Sequence, residues 1–188
     1  MTGVRIHVYE DGAIPAELFA RAEALREQAW PGGGPHDPAL RPVAMLLVAP
    51  DGTVPATLDI LNKDIVHGGR SYRASGLSAV VTDTAQRGKG HGRQLVAAAR
   101  AEMAARGADV GLFTCDRSLR GFYGSAGWDV LEGSVLIGGT PEDPLPSDAP
   151  EFDMVTLGAF FTERARRNAD VFRNSRIALY PGEIDKLW

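Results

Sequence analysis

Residues 77–92 read Leu77-Ser78-Ala79-Val80-Val81-Thr82-Asp83-Thr84-Ala85-Gln86-Arg87-Gly88-Lys89-Gly90-His91-Gly92. The first six form a strand-like run. The last six alternate glycine with Arg87, Lys89 and His91, and they lead into a helical pattern over about 90–106. Leu95, Val96, Ala99 and Met103 fall on one face of that helix, and Gly107 is a natural stop. Glycine allows tight turns and close backbone approach. The first N–H groups of a helix are unpaired and lie at the positive end of its dipole. A strand, a glycine-rich loop and a helix start in this order suit a diphosphate. No GK[ST] follows, so a nucleoside triphosphate with magnesium is unsupported. No acidic residue sits on a following strand to hold a ribose, and the strands before the loop form a meander, so a dinucleotide fold is unsupported too. Taken alone, a plain glycine-rich turn explains the motif equally well.

Working outward, 4–9 alternates as a strand. Pro15 opens a helix that ends near Trp30, with Leu18, Phe19, Ala22, Leu25 and Ala29 on one face. Pro31-Gly32-Gly33-Gly34-Pro35 makes a loop long enough to border a site. Strands are expected at 43–49, 54–61 and 72–82, joined by turns at Asp51-Gly52 and His67-Gly68-Gly69. A strand at 110–114, a short helix at 118–126 and a strand at 128–137 kinked at Gly133 follow. Residues 138–150 read as a loop, 154–159 as the last strand and 162–173 as an Arg-rich helical tail. Phe160, Phe161, Val171, Phe172, Ile177 and Leu179 are apolar and must pack somewhere. The expectation is one domain over 1–188 with an extension at 160–188. That extension either closes an acceptor site or makes a homodimer contact.

The 188 residues are 44% hydrophobic and 23% charged, as in a globular protein. A net charge of −4 argues against a general nucleic-acid binder. No apolar run is long enough for a membrane span, and MTGVRIHVYEDG lacks a secretory pattern, so a cytoplasmic location is expected. The single Cys115 excludes an internal disulfide and Cys-pair zinc sites, and no metal is expected.

The element order, with Arg87-Gly88-Lys89-Gly90-His91-Gly92 and Phe122-Tyr123-x-x-x-Gly127-Trp128, resembles the GNAT family of acetyl-CoA-dependent N-acetyltransferases over about 4–160. The first motif fits the family's [RQ]-x-x-G-x-[GA] signature. The resemblance implies an α+β (α/β) fold, with a mixed, mostly antiparallel central sheet flanked by helices. It also implies acetyl-CoA as cofactor, with a small-molecule amine as acceptor. Backbone groups of Ala79, Val80, Val81 and Thr82 would bind the pantetheine arm, beside a β-bulge. The Val80 N–H would polarise the thioester carbonyl. Arg87, Gly88, Lys89, Gly90, His91 and Gly92 would hold the pyrophosphate, with Ser118 and Phe122 also on the cofactor side. Tyr123 would protonate the departing sulfur; packing against Leu119 is the plainer role for it. Within the family the chain is similar to aminoglycoside 2'-N-acetyltransferases, which ties it to antibiotic resistance. That likeness nominates Asp185 and Trp188 for the acceptor side and points to Ser78; Asp59, on the strand after the hairpin, is an acceptor-side candidate from its place in the sequence. Those enzymes carry a glutamate where this chain has Ser78, and serine is no base at neutral pH.

An amine attacks only when neutral, so a base is needed. Asp59, His91, Glu183, Asp185 and the Trp188 carboxylate are candidates. Asp59 also reads as the solvent side of an alternating strand, and His91 as a capping or phosphate contact. Glu142, Asp143, Asp148, Glu151 and Asp153 have no Lys or Arg among them, so they would either attract a polycationic amine or simply solubilise a loop. Of the three tryptophans, Trp128 reads as core and Trp188 as the best stacking candidate, with Trp30 open. Cys115 has no evident His partner, against an acyl-cysteine route. The leading function is acetyl transfer to a primary amine by direct attack in a ternary complex. The acceptor would be an aminoglycoside, with a polyamine, an amino-sugar or a peptide amine as alternatives. The competing function is an acyl-CoA sensor or partner module without turnover.

Overall fold

The computed structural model describes residues 3–10 and 12–180. The chain runs β1 (Arg5–Glu10), α1 (Ala16–Ala29), β2 (Val43–Val48), β3 (Ala56–His67), β4 (Arg70–Thr82), α2 (His91–Ala105), β5 (Val110–Asp116) and α3 (Arg120–Ser125). Then come β6 (Asp129–Val130), β7 (Val135–Gly139), β8 (Pro144–Pro146), β9 (Met154–Phe160), α4 (Glu163–Arg167) and β10 (Arg176–Ala178). Hydrogen-bonded neighbours follow the order β1-β2-β3-β4-β5-β9-β6 in one sheet and β10-β7-β8 in a second. The β4–β5 pairing is parallel, while β1–β2, β2–β3, β5–β9 and β6–β9 are antiparallel. This is the expected mixed, mostly antiparallel sheet with helices. No helix among the described residues is long and apolar enough to cross a membrane.

The chain divides into two compact units. One is the chain up to Leu61 together with Leu77–Ala99; the other is Asn62–Gly76 and the chain from Arg100 onward. In the first unit, Ala22 and Leu25 of α1 pack on Ala44 and Leu46 of β2, with Val54 and Val81. Phe19, expected on this buried face, is half exposed, while its neighbour Leu18 packs against the cluster around Ala22 and Leu25. In the second unit, Phe113 meets Trp128 and Tyr123 edge-on, with ring centroids 4.8 and 5.0 Å away. Phe172 there packs on Tyr72 and Phe160. Leu95, Val96, Ala99 and Met103 of α2 are all buried, as their spacing predicts.

Three expectations for the second unit are corrected. The strand expected at 128–137 is two strands: a turn closes with Ser134 N–H donating to Leu131 O at 3.1 Å, and β7 then joins the second sheet. The loop expected at 138–150 contains β8, paired antiparallel with β7. The strand at 154–160 is not the last, because β10 pairs in parallel with β7 and buries Ile177. The helical tail is shorter than expected. Thr162 caps α4 by accepting the Ala165 N–H at 3.2 Å, and a 3-10 turn at Ala169–Phe172 ends it with Phe172 fully buried.

Candidate active site

The β3–β4 hairpin turns through two residues, Gly68 and Gly69, with φ of 54° and 72°. Left-handed values at both positions are those of a two-residue type I′ turn, which sets His67 opposite Arg70. Continuing that register pairs Asp59 with Ser78 and would set Pro55 opposite Thr82. Instead the Asp83 N–H donates to Pro55 O at 2.9 Å, one residue further on. So β4 holds one extra residue. Ala79 marks the place: its φ is 49°, a left-handed value uncommon for a residue with a side chain. The combination is a β-bulge, in which ladder pairing is interrupted and the strand bends. Val80 follows the bulge directly. Val81 is buried in the core of its unit.

Beyond β4, Asp83 accepts the Ala85 N–H at 2.9 Å and starts a 3-10 turn over Thr84–Gln86. Gly88 and Gly90 then take φ of 80° and 81°, and a Cβ at either would meet nothing within 4 Å. The backbone conformation, not crowding inside the protein, is what calls for glycine there. Gln94 is the first residue of the helix to donate into its ladder, to Gly90 O at 2.9 Å. Helix geometry leaves the N–H groups before it without an intrahelical acceptor. Lys89 Nζ is held by Gln86 Oε1 at 2.8 Å, Arg87 is exposed, and His91 is the half-buried first residue of α2. These features fit the phosphates of a coenzyme: open space over left-handed glycines, free dipole-end donors and two cations.

Asp59 does not lie on a solvent face, as one reading of its strand had it. It is 5% exposed, accepts from Arg26 Nη2 at 2.7 Å and meets His36 Nε2 at 3.1 Å. It faces α1 because it shares its side of the sheet with its β2 partner, Ala44, which packs against that helix. Neither Arg26 nor His36 was picked out by sequence reasoning. The only signal was a polar residue in an apolar strand, together with a His beside the glycine loop.

In the second unit, Ser118 lies exposed on the 3-10 turn Arg117–Leu119 ahead of α3. Phe122 is half-buried, and Tyr123 is buried with its ring edge-on to Phe113 and Phe122. Leu119 is itself exposed. Burial raises the Tyr123 phenol well above its ordinary pKa, and the neighbouring Cys115 and Asp116 push the same way. Burial, with Asp116 adding to it, lifts the Cys115 thiol to about 11. The thiol is therefore protonated at neutral pH and a poor nucleophile. Two of the loop acids are not unopposed, as the local sequence suggested. Asp148 pairs with Arg176 at 2.8 Å and Asp153 with Arg117 at 2.7 Å. Glu183, Asp185 and Trp188 lie outside the described residues.

Ser78–Thr82, Arg87–Gly92 and Asp59 thus belong to one unit, and Ser118, Phe122 and Tyr123 to the other.

A family model described as "Acetyltransferase (GNAT) domain" matches residues 20–131. Among solved structures, ElaA from Escherichia coli is 16% identical, with a TM-score of 0.59 over 82% of this chain and 98% of that one. An acyl-CoA N-acyltransferase from Pseudomonas aeruginosa is 17% identical, with a TM-score of 0.57 over 83% of this chain and 99% of that one. YhbS, a GNAT family N-acetyltransferase from Escherichia coli solved with CoA, is 12% identical, with a TM-score of 0.57 over 96% of this chain and 91% of that one. No curated protein matches the sequence.

Proposed function

Because the chain belongs to the GNAT acetyltransferase family, we propose that it transfers an acetyl group from acetyl-CoA to a primary amine of a small cationic acceptor, by direct attack in a ternary complex. The observation that carries this is the extra residue at Ala79, a few positions ahead of Gly88 and Gly90. A bulge takes backbone donors out of the ladder just upstream of an anion-binding helix start.

Bound acetyl-CoA supplies the acetyl group as an activated thioester. The loop Arg87–Gly92 would hold its pyrophosphate through backbone N–H groups and the charges of Arg87 and Lys89. Ala79–Thr82 would meet the pantetheine arm through main-chain groups, and Ser118 and Phe122 would add further contacts. The Val80 N–H would stabilise negative charge developing on the acyl oxygen. Tyr123 keeps its proton at neutral pH, the form a general acid needs, and would release it to the leaving sulfur. Ser78, Asp59, Asp185 and Trp188 are assigned to the acceptor side. An aminoglycoside is the leading acceptor, ahead of a polyamine, an amino-sugar or a peptide amine.

Titration calorimetry with acetyl-CoA, followed by turnover assays on aminoglycosides and polyamines, tests the proposal. Absence of heat with acetyl-CoA would refute it. Ser78, in place of the glutamate of the 2'-N-acetyltransferases, favours one competing function, an acyl-CoA sensor. Tight CoA binding with no turnover on any amine would select the sensor.

A further inference from the structure

We propose that His36 is the general base that takes the proton from the acceptor ammonium, with Asp59 and Arg26 as its positioning residues. The inference rests on the acyl-transfer function above and supplies the base which that function lacks.

Asp59 is buried inside β3 and both its carboxylate oxygens are engaged: Oδ1 by Arg26 Nη2 at 2.7 Å, Oδ2 by His36 Nε2 at 3.1 Å. A guanidinium can only donate, so Asp59 accepts from Arg26 through Oδ1, and its Oδ2 is likewise set to accept. The His36 nitrogen facing it must then carry the hydrogen. The lone pair is left on Nδ1, and the His36 side chain is 21% exposed. This is the way a buried carboxylate fixes the tautomer of a catalytic imidazole. The loop that carries His36 is braced. Asp37 Oδ1 accepts the Ala39 N–H at 2.8 Å, starting the 3-10 turn Pro38–Leu40, whose Leu40 is buried. Counting back from the Gly68-Gly69 turn sets Asp59 opposite Ser78, one residue before the left-handed Ala79, so the pair stands beside the backbone proposed to meet the thioester.

In the step itself an N–H bond of the acceptor ammonium breaks and its electron pair stays on the amine nitrogen. The proton binds His36 Nδ1. The resulting imidazolium is offset by Asp59 and later returns the proton to solvent. Among the described contacts, the charged group linked to this pair is Arg26, which also meets Glu23 on α1; Asp37 is the next residue in the His36 loop. Glu23 is occupied by Arg26 Nη1 at 2.5 Å, and Asp37 by Ala39.

The test has two arms. The first is the pH profile of kcat/KM with the best amine found in the panel. His36→Gln, on a loop outside the core, should lower kcat/KM at pH 7 by about a hundredfold. It should erase the limb that rises with imidazole ionisation and leave acetyl-CoA affinity unchanged. The second arm is the ¹⁵N spectrum of the ring. The wild type should show the Nε2–H tautomer, and Asp59→Asn should lose that preference. A wild-type pH profile in His36→Gln, or an Nδ1–H ring in the wild type, would overturn the base while leaving acyl transfer standing. A wild type that acetylates no amine would remove acyl transfer, and the base with it.

Discussion

Tyr123 holds its proton because its phenol is buried between aromatic rings and faces a thiol and a carboxylate. Tyr123→Phe keeps the ring packing and removes only the hydroxyl. It should lower kcat about a hundredfold with unchanged acetyl-CoA affinity by calorimetry. Cys115 makes a different prediction. Its pKa rises from 9.0 to about 11 on folding, so the folded state favours the thiol. That preference stabilises the fold fully below pH 9 and is lost as pH rises through 11. Denaturant-unfolding stability should therefore fall over this window, and fall less in Cys115→Ala, while turnover of that variant should persist under the proposed direct transfer. Tyr123 could be singled out as a candidate because its motif is local in the sequence. The Asp59 cluster was not. Arg26 and His36 lie 33 and 23 positions away, so no short window contains both partners.

At the scale of elements, the loop before α2 depends on backbone angles that a β-branched residue resists. Gly90→Val should weaken acetyl-CoA binding at least tenfold by calorimetry and also lower Tm, because a left-handed φ costs a residue with a side chain about 1–2 kcal/mol even though its Cβ meets no protein atom. Periodicity located most elements well. The buried face of α2 follows from a 3.6-residue repeat, and the β3–β4 turn from adjacent glycines. What escaped were elements whose pattern is too short to repeat. β6 has two residues and β8 has three, with proline at both ends, so the run at 128–137 read as one strand and that at 138–150 as a loop. The bulge was expected only from the family resemblance. Ala79 carries no mark in the sequence, and its left-handed φ together with the mismatch between the two ends of the hairpin locates it.

Over the whole molecule, the tail is part of a core and not an appendage. Ile177 and Leu179 are fully buried within their unit. Truncation after residue 175 would remove both, at roughly 1.5–3 kcal/mol each. It should lower Tm sharply; a second, shorter deletion removes residues 181–188. If Asp185 and Trp188 serve the acceptor, the shorter deletion should raise KM for the amine alone, which initial-rate kinetics would separate. The surplus residue in β4 also bears on how such a protein can change over generations. Pairing on either side of Ala79 stays in step whether or not that residue is present. Loss of its single codon should give a protein that melts at or above the parental temperature yet gives no calorimetric signal with acetyl-CoA. Foldability and donor recognition would then be inherited separately, one alanine apart.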